Sequence, residues 1–100
     1  MRDARFRRTY PTARIPSDGI LTSIQALVLG PSEVRTVDTG IELAASVALT
    51  PARTMAECGV ALLTYAIDAD EAVVVALRNT SAVPVVIHPG DAVATLSPIG

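Results

Sequence analysis

One hundred residues, half of them apolar but only three aromatic, suffice for one domain whose core is built from Ala, Val, Leu and Ile. A net charge of -2 gives no basis for bulk nucleic-acid binding, and the single Cys58 excludes an intramolecular disulfide framework and a multi-cysteine metal site. No apolar run is longer than Ala72–Leu77, far short of the roughly 20 residues that span a bilayer, and Met1–Arg5 lacks an apolar signal segment. A soluble protein made in the cytoplasm is expected. Its small side chains bury little area each, so oligomerisation is expected to help stabilise it.

The charge is uneven. Arg2, Arg5, Arg7, Arg8 and Arg14 stand against Asp3 alone, a balance of +4 over the first fourteen residues. Three arginines and nine acids in the remainder give -6. Met1–Ile15 shows neither strand nor helix periodicity, and Pro11 and Pro16 resist both. Residues 1–16 therefore read as an extended basic arm before a domain at 17–100. Such an arm is either a solvated terminus or a docking segment, with Phe6 and Tyr10 as anchors and Arg5, Arg7 and Arg8 on acidic surface.

Ser17-Asp18-Gly19 marks a turn. Gly19–Leu29 alternates, with Ile20, Thr22, Ile24, Ala26 and Val28 forming the apolar side of a predicted strand. Gly30-Pro31-Ser32 turns the chain, Glu33–Thr39 is a second strand, and Gly40 marks a bend or bulge. Ile41–Leu49 carries the strictest alternation and is expected as one strand. Thr50–Cys58 reads either as a short helix capped by Thr50 with Pro51 at its first position, or as a loop and short strand. Val60–Ile67 is a predicted buried strand, Asp68-Ala69-Asp70 a turn, and Glu71–Arg78 a strand with Val73, Val75 and Leu77 aligned. The stretch Leu77–Leu96 reads as a tight meander broken at Asn79-Thr80-Ser81 and Pro89-Gly90-Asp91. Short strands spaced by Gly, Pro and Asp turns point to an all-β sandwich or barrel.

Few residues offer chemistry. His88 is the only histidine, and no triad follows from sequence order. Asp68 and Asp70 flank one turn and suit either turn capping or binding of Mg²⁺ or water. Cys58 reads as a buried small hydrophobe.

Four stretches, taken in order over about residues 17–97, resemble the motifs of the dUTPase-like family of trimeric dUTPases and dCTP deaminases. They are Val37-Asp38-Thr39-Gly40-Ile41, Arg53-Thr54-Met55, Ile67-Asp68-Ala69-Asp70, and Leu77-x-Asn79-x-Ser81 with Gly90-Asp91-x-x-Ala94-x-Leu96. The resemblance implies a distorted, jelly-roll-like β-barrel of the β-clip type that assembles as a homotrimer. It also implies a loop and short strand over Thr50–Cys58, Asp68 as the group that orients an attacking water, and Arg53 at the phosphates.

The departures from the family pattern are as informative. Glu71 stands where the sugar-stacking Tyr would fall, and Met55 where the small residue of R-S-G would. Ala92 and Thr95 replace the Arg and Gln of G-D-R-I-A-Q, the A-G-x-D-L motif has no good match, and Gly100 precedes any Gly-rich fifth motif. Phosphate chemistry relies on many contacts held at once, so these losses predict no turnover. The expectation is a non-enzymatic trimeric structural protein with no cofactor and no metal, most simply a phage capsid decoration or cement protein in the virion. Its arm would bind a major capsid protein or another large assembly, without membrane or nucleic acid. The alternative is a dUTPase or dCTP-deaminase-type nucleotide enzyme acting through Asp68 and Arg53, or a regulatory interaction module.

Overall fold

The structure is a computed structural model that describes residues 6–14 and 18–98. Its elements are β1 (Phe6–Arg8), β2 (Ile20–Thr22), β3 (Leu27–Leu29), β4 (Val34–Leu43), β5 (Val47–Pro51), α1 (Arg53–Glu57), β6 (Val60–Leu62), β7 (Ala66–Ile67), β8 (Ala72–Asn79), β9 (Val85–Ile87) and β10 (Ala92–Pro98). The strands pair into two four-stranded sheets, β1-β4-β8-β6 and β2-β10-β5-β7, and a two-stranded ribbon, β3-β9. The all-β expectation holds. The sheets stay open and pack around one apolar core instead of sharing a closed ring of hydrogen bonds.

The pair β4–β8 is the spine. It runs from Val34 opposite Arg78 to Asp38 opposite Val74, and resumes at Glu42 opposite Ala72. Inward residues alternate as the pleat requires: Val37, Thr39, Ile41 and Leu43 on one strand, and Val73, Val75 and Leu77 on the other. Thr39 is buried without penalty, because its hydroxyl donates to the Val73 carbonyl at 2.7 Å. The register breaks at Gly40, the expected bulge, where φ is +72°.

Several predicted strands are each two elements. Gly19–Leu29 divides into β2 and β3, Ile41–Leu49 into the end of β4 and β5, and Val60–Ile67 into β6 and β7. The Leu77–Leu96 meander is corrected further: β8, β9 and β10 lie in three different sheets. At three of these breaks a Ser or Thr side chain takes over backbone hydrogen bonding. Ser23 Oγ accepts from Gln25 N–H at 2.9 Å, Ser46 Oγ from Ala69 N–H at 3.2 Å, and Thr64 Oγ1 from Ala76 N–H at 2.9 Å. At the fourth break Asn79, fully buried, donates to the carbonyls of Leu29 and Val83 and accepts from the Ser81 N–H and hydroxyl. Alternation continues through these breaks, so it cannot reveal them. In the first segment Leu21 and Leu29 are buried, while Val28, on the side read as the apolar face, is 52% exposed.

Three further corrections concern 50–58. The resemblance implied a loop and short strand there, but the structure has the end of β5 followed by α1. The helix is not capped by Thr50: Ala52 is its N-cap, without a side-chain bond. Met55 is the residue α1 buries, and a five-residue helix held by that one anchor leaves little periodic signal. Cys58 is exposed, not buried, because it ends the helix with its N–H on the Thr54 and Met55 carbonyls.

Candidate functional site

The N-terminal segment folds onto its own chain. β1 lies along the edge of β4, with Phe6 opposite Leu43 and Arg8 opposite Ile41. Beyond it Thr9 N–H donates to the Gly40 carbonyl at 2.8 Å, and a turn closes through Ala13 N–H on the Tyr10 carbonyl. Arg7 pairs with Glu42, and Arg8 Nε donates to the Ala13 carbonyl at 2.8 Å. Two of the expected partner-binding arginines are thus engaged within the chain. Tyr10 is half exposed, and Arg5 lies outside the described residues.

This turn borders a cleft of about 270 Å³ lined by Thr12, Arg14, Thr22, Ser23, Ile24, Pro89 and Gly90. Gly90 N–H donates to the Ser23 carbonyl and Ser23 N–H to the Asp91 carbonyl, which holds the 89–91 turn against the end of β2. Arg14 Nη2 donates to Asp18 Oδ2 at 2.8 Å across the rim. That hydrogen bond, with the Ile20 N–H on the other oxygen, holds the Asp18 carboxyl below its usual range and raises Arg14. Ser23 is not poised as a nucleophile, since its hydroxyl donates to the Gln25 carbonyl at 2.8 Å. His88 lies 3.5 Å from Asp91 on the exposed turn. Sequence reading assigned Arg14 to the arm and Asp18 to a turn. Their four-residue spacing was the one signal that they pair.

The two candidate catalytic residues are not brought together within one chain. Asp68 follows β7, beside Ser46 at the start of β5. Arg53 opens α1 beyond the other end of β5, where its side chain is 91% exposed and pairs with Glu57. They meet only if a second subunit supplies one of them. The Asp68 turn closes through the Asp68 carbonyl, which accepts from Glu71 N–H, and Asp70 takes a left-handed conformation with its N–H on the Leu43 carbonyl. Thr95, at the position of the family Gln, lies opposite Thr50 on β5. Among the described residues no group of three or more His, Cys, Asp or Glu could hold a metal ion.

Two open sheets, a ribbon and one short helix in this strand order make an all-β protein with a dUTPase-like fold. Solved structures similar to it include dUTPases. A Staphylococcus bacteriophage 80alpha dUTPase variant superposes with a TM-score of 0.82 at 16% identity, covering 96% of this chain and 90% of that one. A mutant of the dUTPase of phage phi11 of S. aureus gives 0.79 at 17% identity over 96% and 90%. The EIAV dUTPase gives 0.75 at 17% identity over 92% and 83%. No protein-family model matches the chain, and no curated protein matches it by sequence. The likeness therefore establishes the dUTPase-like fold the motifs implied.

Proposed function

We propose that this chain is a non-enzymatic homotrimer on a dUTPase-like scaffold, serving as a decoration protein on a phage capsid. The observation that carries the non-enzymatic part is the state of the phosphate-side residues. Arg53 reaches into solvent and pairs with Glu57, Met55 is turned into the core, and Thr95 stands in place of an amide. Glu71 adds a negative charge beside Asp68 where a sugar-stacking ring would be needed. A nucleotide would meet one arginine already paired and no second phosphate donor from the matched positions. A trimer suits a local three-fold position of a shell. Contact with the major capsid protein runs through the N-terminal segment, where Tyr10 offers a half-exposed ring.

A regulatory reading is favoured by a different observation. Structures of the 80alpha phage dUTPase are described as controlling transfer of virulence genes by a proto-oncogenic G protein-like mechanism. A scaffold of this shape therefore also serves signalling in that protein.

Native mass spectrometry with and without dUTP and Mg²⁺, combined with a pyrophosphate-release assay, tests the catalytic part. The expected result is a trimer that takes up no nucleotide and releases no pyrophosphate. Uptake of up to three nucleotides, or turnover, would establish the nucleotide enzyme instead. Immunodetection of the chain on purified virions tests location, and its absence from particles would favour the regulatory reading.

A further inference from the structure

We infer that the cleft between the N-terminal turn and the 89–91 turn binds a small aliphatic monocarboxylate, with the carboxylate on Arg14 and the hydrocarbon chain toward Thr22 and Ile24. This goes beyond the capsid reading and does not depend on it, and neither Arg53 nor Asp68 lines the space.

Backbone bonds fix the walls of this cleft. Gly90 N–H donates to the Ser23 carbonyl at 2.8 Å and Ser23 N–H to the Asp91 carbonyl at 3.0 Å, while Ile24 N–H ties the link after β2 to the Asp38 carbonyl at 3.1 Å. At about 270 Å³ the space lies just below the roughly 300–1,000 Å³ of ordinary ligand pockets, so its ligand is small.

Two polar groups in it have bonding capacity to spare. Thr22 is 8% exposed, and among the described residues its hydroxyl makes no hydrogen bond. No side-chain oxygen fully shut away from solvent lacks a partner among those residues, so this hydroxyl reaches open space, and the space that Thr22 lines is the cleft. A nearly buried hydroxyl without a partner is costly, and a ligand oxygen would relieve that cost. The second group is Arg14, half exposed at the rim. Its Nη2 donates to Asp18 Oδ2 at 2.8 Å and its Nη1 to the Ile20 carbonyl at 3.4 Å. A guanidinium carries five N–H donors in a planar fork, so a second carboxylate can bind beside Asp18. Asp18 acts as the positioning residue that holds Arg14 across the mouth.

Charge and lining decide the ligand class. Among the described residues Arg14 is the one cation at the cleft, and Asp18 already offsets it. A phosphate dianion would need more positive charge than this, whereas a single negative charge can share the guanidinium. The Ser23 hydroxyl proton is committed to the Gln25 carbonyl and adds no donor. Ile24, Pro89 and the threonine methyl groups make up the rest of the wall, and they suit a short hydrocarbon chain. Such a carboxylate belongs either to a free short-chain acid or to the C-terminus of a peptide.

The test is a set of amide NMR titrations of the isotope-labelled full chain. The probes are sodium butyrate, butyramide, sodium phosphate, and a tripeptide ending in valine with a free or an amidated C-terminus. Butyrate is expected to give saturable shifts at the amides of Arg14, Ser23, Ile24 and Gly90, and butyramide and phosphate none. Saturable shifts with the free tripeptide but not with butyrate or the amidated form would support the carboxylate site and make a chain terminus its source. Arg14→Gln should weaken binding about tenfold and Thr22→Val about threefold, as loss of a charged and of a neutral hydrogen bond predicts. Arg35→Gln, exposed on β4, should bind like the parent. Arg14→Gln alters a half-exposed side chain and stays informative if Thr22→Val unfolds the chain. No saturable shift with any carboxylate, or full affinity in Arg14→Gln, overturns the site. Equal binding of phosphate or butyramide overturns the ligand class.

Discussion

A Cβ on Gly40 would stand 2.8 Å from the Cβ of Ala13. Real Cβ atoms do not approach so closely, and Ile24 and Tyr10 close the space from two other sides at 3.0 and 3.1 Å. Three separate segments therefore cross at one residue without a side chain: the N-terminal turn, the link between β2 and β3, and the bulge of β4. The left-handed φ of +72° adds a second reason for glycine here. Gly40→Ala is expected to cost roughly 2–5 kcal/mol, combining about 1–2 for the left-handed conformation with about 1–3 for overpacking. Urea denaturation measures it. Ala13→Gly in the same chain should recover part of the loss, because it relieves the closest contact but not the backbone strain.

Removing residues 1–14 should destabilise the domain instead of freeing it from a tail. The deletion uncovers the edge of β4 over Ile41–Leu43, the Gly40 carbonyl that Thr9 caps, and the site that buries Ala13. With a few hydrogen bonds at about 1 kcal/mol each and a small apolar term, the expected loss is roughly 2–4 kcal/mol. A truncated chain with an unchanged thermal midpoint would show that the segment contributes nothing to the fold.

Asn79→Ala should be among the costliest polar substitutions. The amide is fully buried, donates at 2.9 and 2.8 Å to the Leu29 and Val83 carbonyls, and accepts from Ser81 at 2.8 and 2.7 Å. Alanine leaves those partners without the amide, at an expected cost of about 3 kcal/mol. The same change should raise amide exchange at Ser81 before it does so in β4.

The Arg14–Asp18 pair gives a directional pH test. Asp18 is held below the ordinary carboxylate range, chiefly by the hydrogen bond from Arg14. A depressed folded pKa means that its contribution to stability is present above the unfolded value of about 3.9 and is lost as pH falls through the lower folded value. Both groups are solvent-exposed, so the effect on the midpoint is small. The clear readout is the carboxyl titration by NMR: Arg14→Gln should move Asp18 up toward its ordinary range.

Arg53→Ala and Asp68→Ala should each leave stability within about 0.5 kcal/mol of the parent, since both residues are exposed and the Arg53–Glu57 pair is a surface pair. Neither variant should alter assembly. Loss of any measured activity without loss of folding would return them to a catalytic role.

Much of the fold was legible in the chain. Gly40 as a bulge, the 79–81 and 89–91 turns, and the inward set Val73, Val75 and Leu77 follow from local chemistry that acts over a few residues. The motif order around Val37–Ile41 and Gly90–Leu96 brought the dUTPase-like architecture within reach. The candidate site was less legible. Arg53 and Asp68 read as a pair because they occupy motif positions, but the distance between the ends of β5 is a property of the fold. The cleft beside Arg14 draws on three distant segments and leaves no pattern in any of them.

The all-β class, the turns and the buried side of most strands follow from residue order alone, because pleating and turn chemistry depend on near neighbours. Only the tertiary structure assigned each apolar run to its sheet. A period of two records which way a side chain points and nothing about which strand receives the backbone hydrogen bonds. The three runs of 77–96 alternate smoothly yet enter three sheets, because the buried Asn79 and the hydroxyl of Ser81 turn the chain between the first two. The apolar outer face of β8 was visible as letters, and became a surface only when Val34 and Leu63 were set beside it.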